Sequence, residues 1–117
     1  MAAPSLTPEL ALRYLGELST DIKASVLLDS AGAAAASSED GEAGRKLAEL
    51  TAELFARADA ADGEQVAHVE VSTGDGAVYA VRDDDWSVAV VTGRFALPSL
   101  MFYDLRTVLG ELSGSEG

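Results

Sequence analysis

Residues 42–59 contain an amphipathic helix whose apolar side is wider than packing on a single surface requires. At about 100° per residue, a narrow apolar arc is formed by Ala43, Leu47, Leu50, Leu54 and Ala58. A second apolar flank, formed by Ala48, Thr51, Ala52 and Phe55, widens the apolar surface to roughly 200°. The small Ala48 and Ala52 allow another helix to come close. We therefore interpret the flank either as a wide core face of a small domain or as a subunit interface.

The rest of the chain is compatible with one small globular domain. Its 117 residues, 48% hydrophobic and 24% charged, fit a single folded unit, which we predict over 8–112 between flexible tails at 1–7 and 113–117. Cysteine is absent, which excludes disulfides and thiolate metal sites. No basic segment followed by an apolar run suggests a signal peptide, and no apolar run approaches the length of a membrane span. We therefore expect a cytoplasmic protein without membrane insertion.

The formal net charge of −12 limits the classes of partner. Nucleic acids and anionic membrane surfaces are recognised by clustered Lys and Arg side chains, so we expect neither as a partner. A strongly acidic protein stays soluble and is steered toward basic patches on other proteins.

Two further helices flank the central one. Thr7 is a suitable N-cap and Pro8 a suitable first-turn residue for a helix over 8–21. Pro98 begins a last helix with an apolar stripe at helical spacing, formed by Met101, Leu105, Val108, Leu109 and Leu112.

Short apolar stretches bounded by turn residues predict five strands, over 24–29, 33–36, 65–72, 77–82 and 86–92. The first ends in the turn Asp29-Ser30-Ala31-Gly32, and the second is expected to pair back on it. Gly74-Asp75-Gly76 forms a hairpin turn, and the last strand is apolar on both faces, as in a strand covered on both sides. The order α-β-β-α-β-β-β-α predicts an α/β (α+β) domain: one five-stranded, mainly antiparallel sheet with helices on both faces.

This pattern resembles the roadblock family of small dynein-light-chain-like proteins, which share the order of elements. The resemblance covers about residues 8–112. It is carried by the buried strand entering an Asp-x-x-Gly turn (Val26-Leu27-Leu28-Asp29-Ser30-Ala31-Gly32), the long second helix, the glycine-turn hairpin, and the closing strand followed by a leucine-rich helix. The alanine segment 33–36 departs from the larger residues usual in the family's second strand.

The resemblance implies a homodimer or heterodimer in which the second helices pack together and the third strands, here about 65–72, pair edge to edge. Bacterial members resemble regulators or scaffolds of small Ras-like GTPases, so it also implies a small GTPase as partner and a non-enzymatic regulatory role. The residues expected at the dimer interface are Ala48, Thr51, Ala52, Phe55, Val66, His68 and Glu70. We expect Phe55→Asp to leave a folded but more monomeric protein.

Residues suited to catalysis are sparse. His68 is the one histidine of the sequence and shares a strand face with Glu70, but two ligands are too few for a zinc site. A cross-strand or interface contact is the better interpretation of His68, which at an interface would make association pH-dependent. Trp86 and Phe95 are interpreted as core or core-rim residues. No nucleophile, base and orienting group can be combined, so we expect no enzyme activity, catalytic residue, cofactor or metal.

Two other functions are compatible with the sequence. Secretion-type chaperones or adaptors are also small acidic α/β dimers, and they hold a segment of a partner protein. A ligand-sensing α/β domain would instead use the sheet as the floor of a pocket.

Overall fold

The structure is a computed structural model that describes residues 6–19, 21–72 and 74–113. Within these residues the elements follow the predicted order. They are α1 (Pro8–Leu18), β1 (Ile22–Asp29), β2 (Ala34–Ser37), α2 (Gly41–Asp62), β3 (His68–Ser72), β4 (Ala77–Arg82), β5 (Trp86–Thr92) and α3 (Pro98–Ser113). Residues 1–5 and 114–117, which make up most of the two predicted tails, lie outside the described residues.

The described strands form one sheet in the order β2-β1-β5-β4-β3, and every neighbouring pair is antiparallel. The prediction of a five-stranded antiparallel sheet is therefore confirmed, as is the pairing of the alanine strand β2 with β1. The apolar strand β5 lies at the centre of the sheet. At the edges are β2 and β3, each with one paired neighbour among the described strands.

The two faces of the sheet carry separate hydrophobic clusters. On one face, α1 and α3 pack against side chains that include Leu27, Tyr79 and Val88. On the other face, α2 packs against side chains that include Val26 and Ala89. Because successive residues of a strand point to opposite faces, the central strands contribute to both clusters.

The structure changes two of the predicted helix boundaries. Helix α1 ends at Leu18 because Ser19 takes an extended conformation while its N–H still donates to the Leu15 oxygen at 3.1 Å. Ile22, the residue after the predicted end of the helix, pairs with Thr92 across β1 and β5.

Helix α2 covers Gly41–Asp62, which is longer than the predicted 42–59. The Ser38 hydroxyl accepts a hydrogen bond from the Ser25 N–H at 2.8 Å, so it ties the end of β2 to β1. Asp40 occupies the N-cap position without a side-chain cap bond. The third strand also begins later than predicted, at His68 instead of Gln65.

The hairpin between β3 and β4 brings backbone atoms closer than a side chain allows. A Cβ atom on Gly76 would lie 1.9 Å from the carbonyl oxygen of Thr92. The Thr92 hydroxyl in turn donates to the Ala77 oxygen at 3.3 Å. Gly76 is therefore required where β4 begins beside the end of β5.

We predict that Gly76→Ala destabilises the protein by about 1–3 kcal/mol, since the added methyl group forces backbone atoms apart. Gly74→Ala in the same turn is the matched control, because its Cβ would meet no atom within 4 Å. Urea unfolding of both variants measures the difference. Equal stabilities of the two variants would contradict the close approach seen at Gly76.

Candidate interaction surface

Helix α2 turns a different side to the sheet than its hydrophobic pattern predicts. Leu47, Ala48, Thr51 and Phe55 are buried against the sheet, with Phe55 only 3% exposed. The Thr51 hydroxyl donates to the Leu47 oxygen at 2.8 Å, which satisfies it inside the core. Leu50 of the predicted core arc is 46% exposed. Of the two interpretations of the second flank, the wide core face therefore fits Ala48, Thr51 and Phe55, whereas Ala52 is exposed.

A cluster at the end of α2 fixes this orientation. The Arg82 guanidinium lies 4.4 Å from the centre of the Phe55 ring, within the range of a cation–π contact. Arg82 also forms an ion pair with Asp59, and its Nε donates to the Val66 oxygen at 2.7 Å. The Val66 N–H donates to Asp59 Oδ1 at 2.8 Å. We call these four residues the Arg82 cluster; they join α2 to β4 and to the segment before β3.

The helix crosses the sheet diagonally. At its beginning, Gly44 lies against Ser37 and Glu39, since a Cβ on Gly44 would meet the Glu39 oxygen at 2.4 Å. At its end, Asp59 binds Val66 and Arg82. The helix therefore runs from the end of edge strand β2 to the beginning of edge strand β3, which leaves two opposite corners of this sheet face uncovered.

The first uncovered corner lies beside β2 and is lined by small residues together with the charged Glu39, Arg45 and Glu49. Ala48 and Ala52 of α2 share a groove of about 460 Å³ with Gly32 and Ala34. Both alanines were expected to meet a second helix. The structure places them on the side of α2 that faces β2, away from edge strand β3.

The second uncovered corner lies beside β3 and is apolar. Ala24, Val91, Val78 and Val71 are register partners across four adjacent strands. The first three are half-buried and Val71 is 37% exposed. We call these four residues the apolar row. Its atoms remain partly accessible because α2 passes over the opposite end of the strands.

The other flank of α2 faces this apolar row. Leu50 and Leu54 lie on the side of the helix opposite Ala52, as their spacing at 100° per residue requires. Ala43, at the beginning of the same flank, is exposed, and Leu54 is half-buried. The apolar row and the Leu50 side of α2 therefore form one partly exposed apolar strip that ends at the open edge of β3.

Edge strand β3 presents polar side chains and unpaired backbone groups. The Arg82 N–H donates to the Ala67 oxygen at 2.9 Å, and hydrogen-bonded pairs alternate along an antiparallel ladder. The backbone N–H groups of His68, Glu70 and Ser72 therefore point away from β4. His68 and Glu70 are exposed; the His68 ring lies 5.0 Å from that of Phe102 on α3.

The seven residues predicted at the interface thus occupy three places. Val66, His68 and Glu70 lie on or just before the open strand β3. Thr51 and Phe55 lie in the core beneath α2, and Ala48 and Ala52 line the β2 side. Their assignment to an interface stays a prediction. Leu50, predicted in the core arc, is exposed. The exposure of Val71 was not predicted, because the apolar row can be recognised only when the strand register is known.

Other kinds of site have little support in the described residues. Within residues 6–19, 21–72 and 74–113, no group of three or more metal-ligating side chains comes together. In the same ranges, none of the helices has both the length and the apolar character needed to span a bilayer.

We predict that Asp59→Asn destabilises the protein in a pH-dependent way. The hydrogen bond from Arg82, and next that from the Val66 N–H, hold the pKa of Asp59 below its ordinary value of 3.8. Because the folded-state pKa is lowered, the stabilisation is present above about pH 4 and is lost as the pH falls below that value. Asp62→Asn, at the exposed end of the same helix, is the control.

Thermal unfolding at pH 7 and pH 3 measures this effect. The unfolding temperature of the wild type should lie clearly above that of Asp59→Asn at pH 7, and the difference should be much smaller at pH 3. A difference that does not change with pH would show that the charge of Asp59 does not stabilise the fold.

Comparison with known proteins identifies the fold. No protein-family model and no curated protein sequence matches this chain. A Roadblock/LC7 domain from Streptomyces avermitilis superimposes with a TM-score of 0.82 at 18% identity, covering 92% of this chain and 96% of that one. The gliding protein mglB from Thermus thermophilus gives 0.70 at 19% identity, covering 97% and 98%.

The likeness extends beyond Roadblock/LC7 domains. Profilin II from Acanthamoeba castellanii gives a TM-score of 0.60 at 15% identity, covering 95% of this chain and all of that one. The chain has the roadblock fold, a member of the wider profilin-like architecture.

Proposed function

We propose that this protein is a dimeric, non-enzymatic regulator or scaffold of a small Ras-like GTPase. The observation that carries the proposal is the apolar strip of α2 and the sheet, whose outermost residue, Val71, lies on the open edge strand β3. The resemblance of the sequence to the roadblock family indicates a small GTPase as the partner, and the roadblock fold supports that resemblance.

The geometry favours a dimer in which two β3 strands pair across a two-fold axis. The outward N–H groups of His68, Glu70 and Ser72 then find backbone acceptors in the second copy, as the unpaired groups of an edge strand do when a further strand is added. The apolar row of each copy continues into that of the other. The Leu50 sides of the two α2 helices face each other above this joined sheet.

The interface of this dimer contains some of the residues predicted from the sequence and some that were not predicted. Val66, His68 and Glu70 keep their place along the paired strands, while Leu50, Leu54 and Val71 supply the apolar contact. Thr51 and Phe55 support the interface from beneath by holding α2 in position. Phe55→Asp would place a carboxylate in the core beside the other residues of the Arg82 cluster, so we now expect it to unfold the chain.

The paired α2 helices would form one continuous surface for a GTPase. Neither copy alone supplies it, so binding of the GTPase depends on the dimer. The net charge of −12 speeds the approach of a partner with a basic patch.

Leu50→Asp is expected to convert the dimer to a folded monomer. Burying a leucine side chain is worth about 1.5–3 kcal/mol, and about 1.4 kcal/mol corresponds to tenfold in affinity. The dissociation constant should therefore rise by at least about tenfold. Leu10→Asp is the matched control, because Leu10 on α1 is 45% exposed and Leu50 is 46% exposed. Light scattering across a concentration series, with circular dichroism as the test of folding, measures the change.

Binding of a GTPase partner is tested with the same two variants, Leu50→Asp and Leu10→Asp. Small GTPases encoded in the genome of the source organism, loaded with GDP or a GTP analogue, are titrated with the protein by calorimetry. We expect binding that depends on the nucleotide and is lost in Leu50→Asp but kept in Leu10→Asp. If the dimer binds none of these GTPases, the proposed GTPase partner is contradicted but the proposed dimer interface is not.

A further inference from the structure

The open edge of β3 is short, and the Arg82 cluster determines where it begins. Val66 cannot pair with another strand, because its N–H donates to Asp59 Oδ1 at 2.8 Å and its oxygen accepts from Arg82 Nε at 2.7 Å. The residues of β3 whose backbone groups point outward are therefore His68, Glu70 and Ser72.

Two such edges can pair across a two-fold axis in only three registers that join more than one residue of each copy. In an antiparallel ladder, outward-pointing residues must lie opposite one another, so the axis passes through residue 69, 70 or 71. An axis at residue 69 or 71 joins two outward residues of each copy, whereas an axis at Glu70 joins all three. His68 then lies opposite Ser72 of the second copy, and Glu70 lies opposite Glu70.

The other face of β3 favours the same register. Val69 packs against the cluster beneath α2, and Val71, two residues further on the same face, is 37% exposed. With the axis at Glu70, Val69 of each copy lies opposite Val71 of the other in a non-hydrogen-bonded pair, where side chains are closest. An axis at residue 69 or 71 would form one valine pair instead of two. The register centred on Glu70 thus gives the most backbone hydrogen bonds and the most valine contact.

For the proposed dimer, on which this inference rests, we propose that the two-fold axis passes between the Glu70 residues of the two copies and makes their association dependent on pH. Like charges directly opposite one another weaken the pairing of two strands. Protonation of either carboxylate removes this repulsion and lets its O–H donate to the other carboxylate, a strong kind of hydrogen bond. Association should therefore strengthen as the pH is lowered.

Two titratable side chains lie beside Glu70 on the same face of the sheet. Tyr79 is its register partner on β4; burial, and next the charges of Glu70 and Asp21, raise the pKa of Tyr79, so the phenol stays uncharged. His68 contacts Phe102, with 5.0 Å between ring centres. In the proposed register His68 lies diagonal to Glu70 of the second copy, so protonation of His68 strengthens association in the same direction.

The loop that carries Arg94 is held by Asp21. The Gly93 N–H donates to the Asp21 backbone oxygen at 3.0 Å, and the Phe95 N–H donates to the Asp21 carboxylate at 3.0 Å. Phe95 was predicted at the rim of the core, and its 87% exposure corrects this. Arg94 and Glu70 line one cavity of about 250 Å³, but among the ion pairs of the described residues none joins them. Arg94 therefore moderates the charge of Glu70 without neutralising it.

The remaining charges near this edge belong to α3 and to the hairpin. Arg106 follows Phe102 by about one turn on the same side of α3 and is exposed. Asp104 lies about half a turn away from that side. Asp75 is exposed at the tip of the hairpin and adds a negative charge. These groups flank the paired strands, whereas the register places only the two Glu70 carboxylates at the axis itself.

Single cysteines test the register directly, because the chain has no cysteine of its own. The Cα atoms of a non-hydrogen-bonded pair lie about 4.5 Å apart, within the range that a disulfide spans. Under mild oxidation, Val69→Cys and Val71→Cys should each remain unlinked alone, whereas an equimolar mixture of the two should form linked dimers. Non-reducing electrophoresis measures the linking. Leu10→Cys, at an exposed position on α1, gives the background of chance collisions.

The outcomes separate the register from the dimer itself. Linking of Val69→Cys alone or of Val71→Cys alone would move the axis to that residue, which overturns the proposal and leaves the β3 dimer standing. If no variant or mixture links above the Leu10→Cys background, the β3 dimer of the proposed function is contradicted, and the register with it.

The pH dependence is tested by Glu70→Gln. Its dimer should be tighter than that of the wild type by about twofold or more at pH 8, and its dissociation constant should change less between pH 8 and pH 5.5. Glu17→Gln, exposed on α1, removes the same charge far from β3 and is the matched control. His68→Gln separates the contribution of the histidine. Analytical ultracentrifugation measures all four proteins.

Three results would overturn the role of the facing carboxylates. The first is a Glu70→Gln dimer no tighter than that of Glu17→Gln. The second is a wild-type dimer that does not tighten at pH 5.5. The third is complete loss of the pH dependence in His68→Gln, which would assign it to the histidine alone.

Discussion

The contact between Arg82 and the end of α2 determines which surfaces this protein exposes. Arg82 holds Phe55 through the face of its ring and Asp59 through an ion pair, while Asp59 also accepts the Val66 N–H. These contacts fix the diagonal course of the helix over the sheet. A helix rotated by a third of a turn would cover Leu50 and expose Phe55. The apolar strip beside β3 exists because this cluster turns the helix the other way.

Two of the exposed apolar surfaces of the described chain lie on opposite faces of the sheet. One joins α2 to the open edge of β3, and the other covers the beginning of α3. Both are built on elements that the chain's own contacts hold rigid, through the Arg82 cluster in the first case and Asp21 in the second.

Much of the fold was predictable from the sequence, since it depends on local patterns. The apolar strand β5, the glycine hairpin and the capped start of α1 follow from residue spacing, and the structure confirms them. Periodicity failed on α2 because an apolar arc of roughly 200° does not say which part of it faces the sheet. That choice depends on Arg82, which lies 23 residues after Asp59 in the chain. The exposure of Phe95 was also not predicted. Its loop is held by Asp21, which lies 74 residues earlier in the chain.

Hydrogen exchange of the outward-facing amides of β3 shows directly whether two copies of the chain pair through this strand. The N–H groups of His68, Glu70 and Ser72 face away from β4, so only a second strand added at this edge can protect them. If two β3 strands pair, these amides should exchange slowly in concentrated protein and faster on dilution and in Leu50→Asp. Fast exchange at every concentration, while the amides of Val69 and Val71 stay protected by β4, would show that β3 remains a free edge and would contradict the dimer.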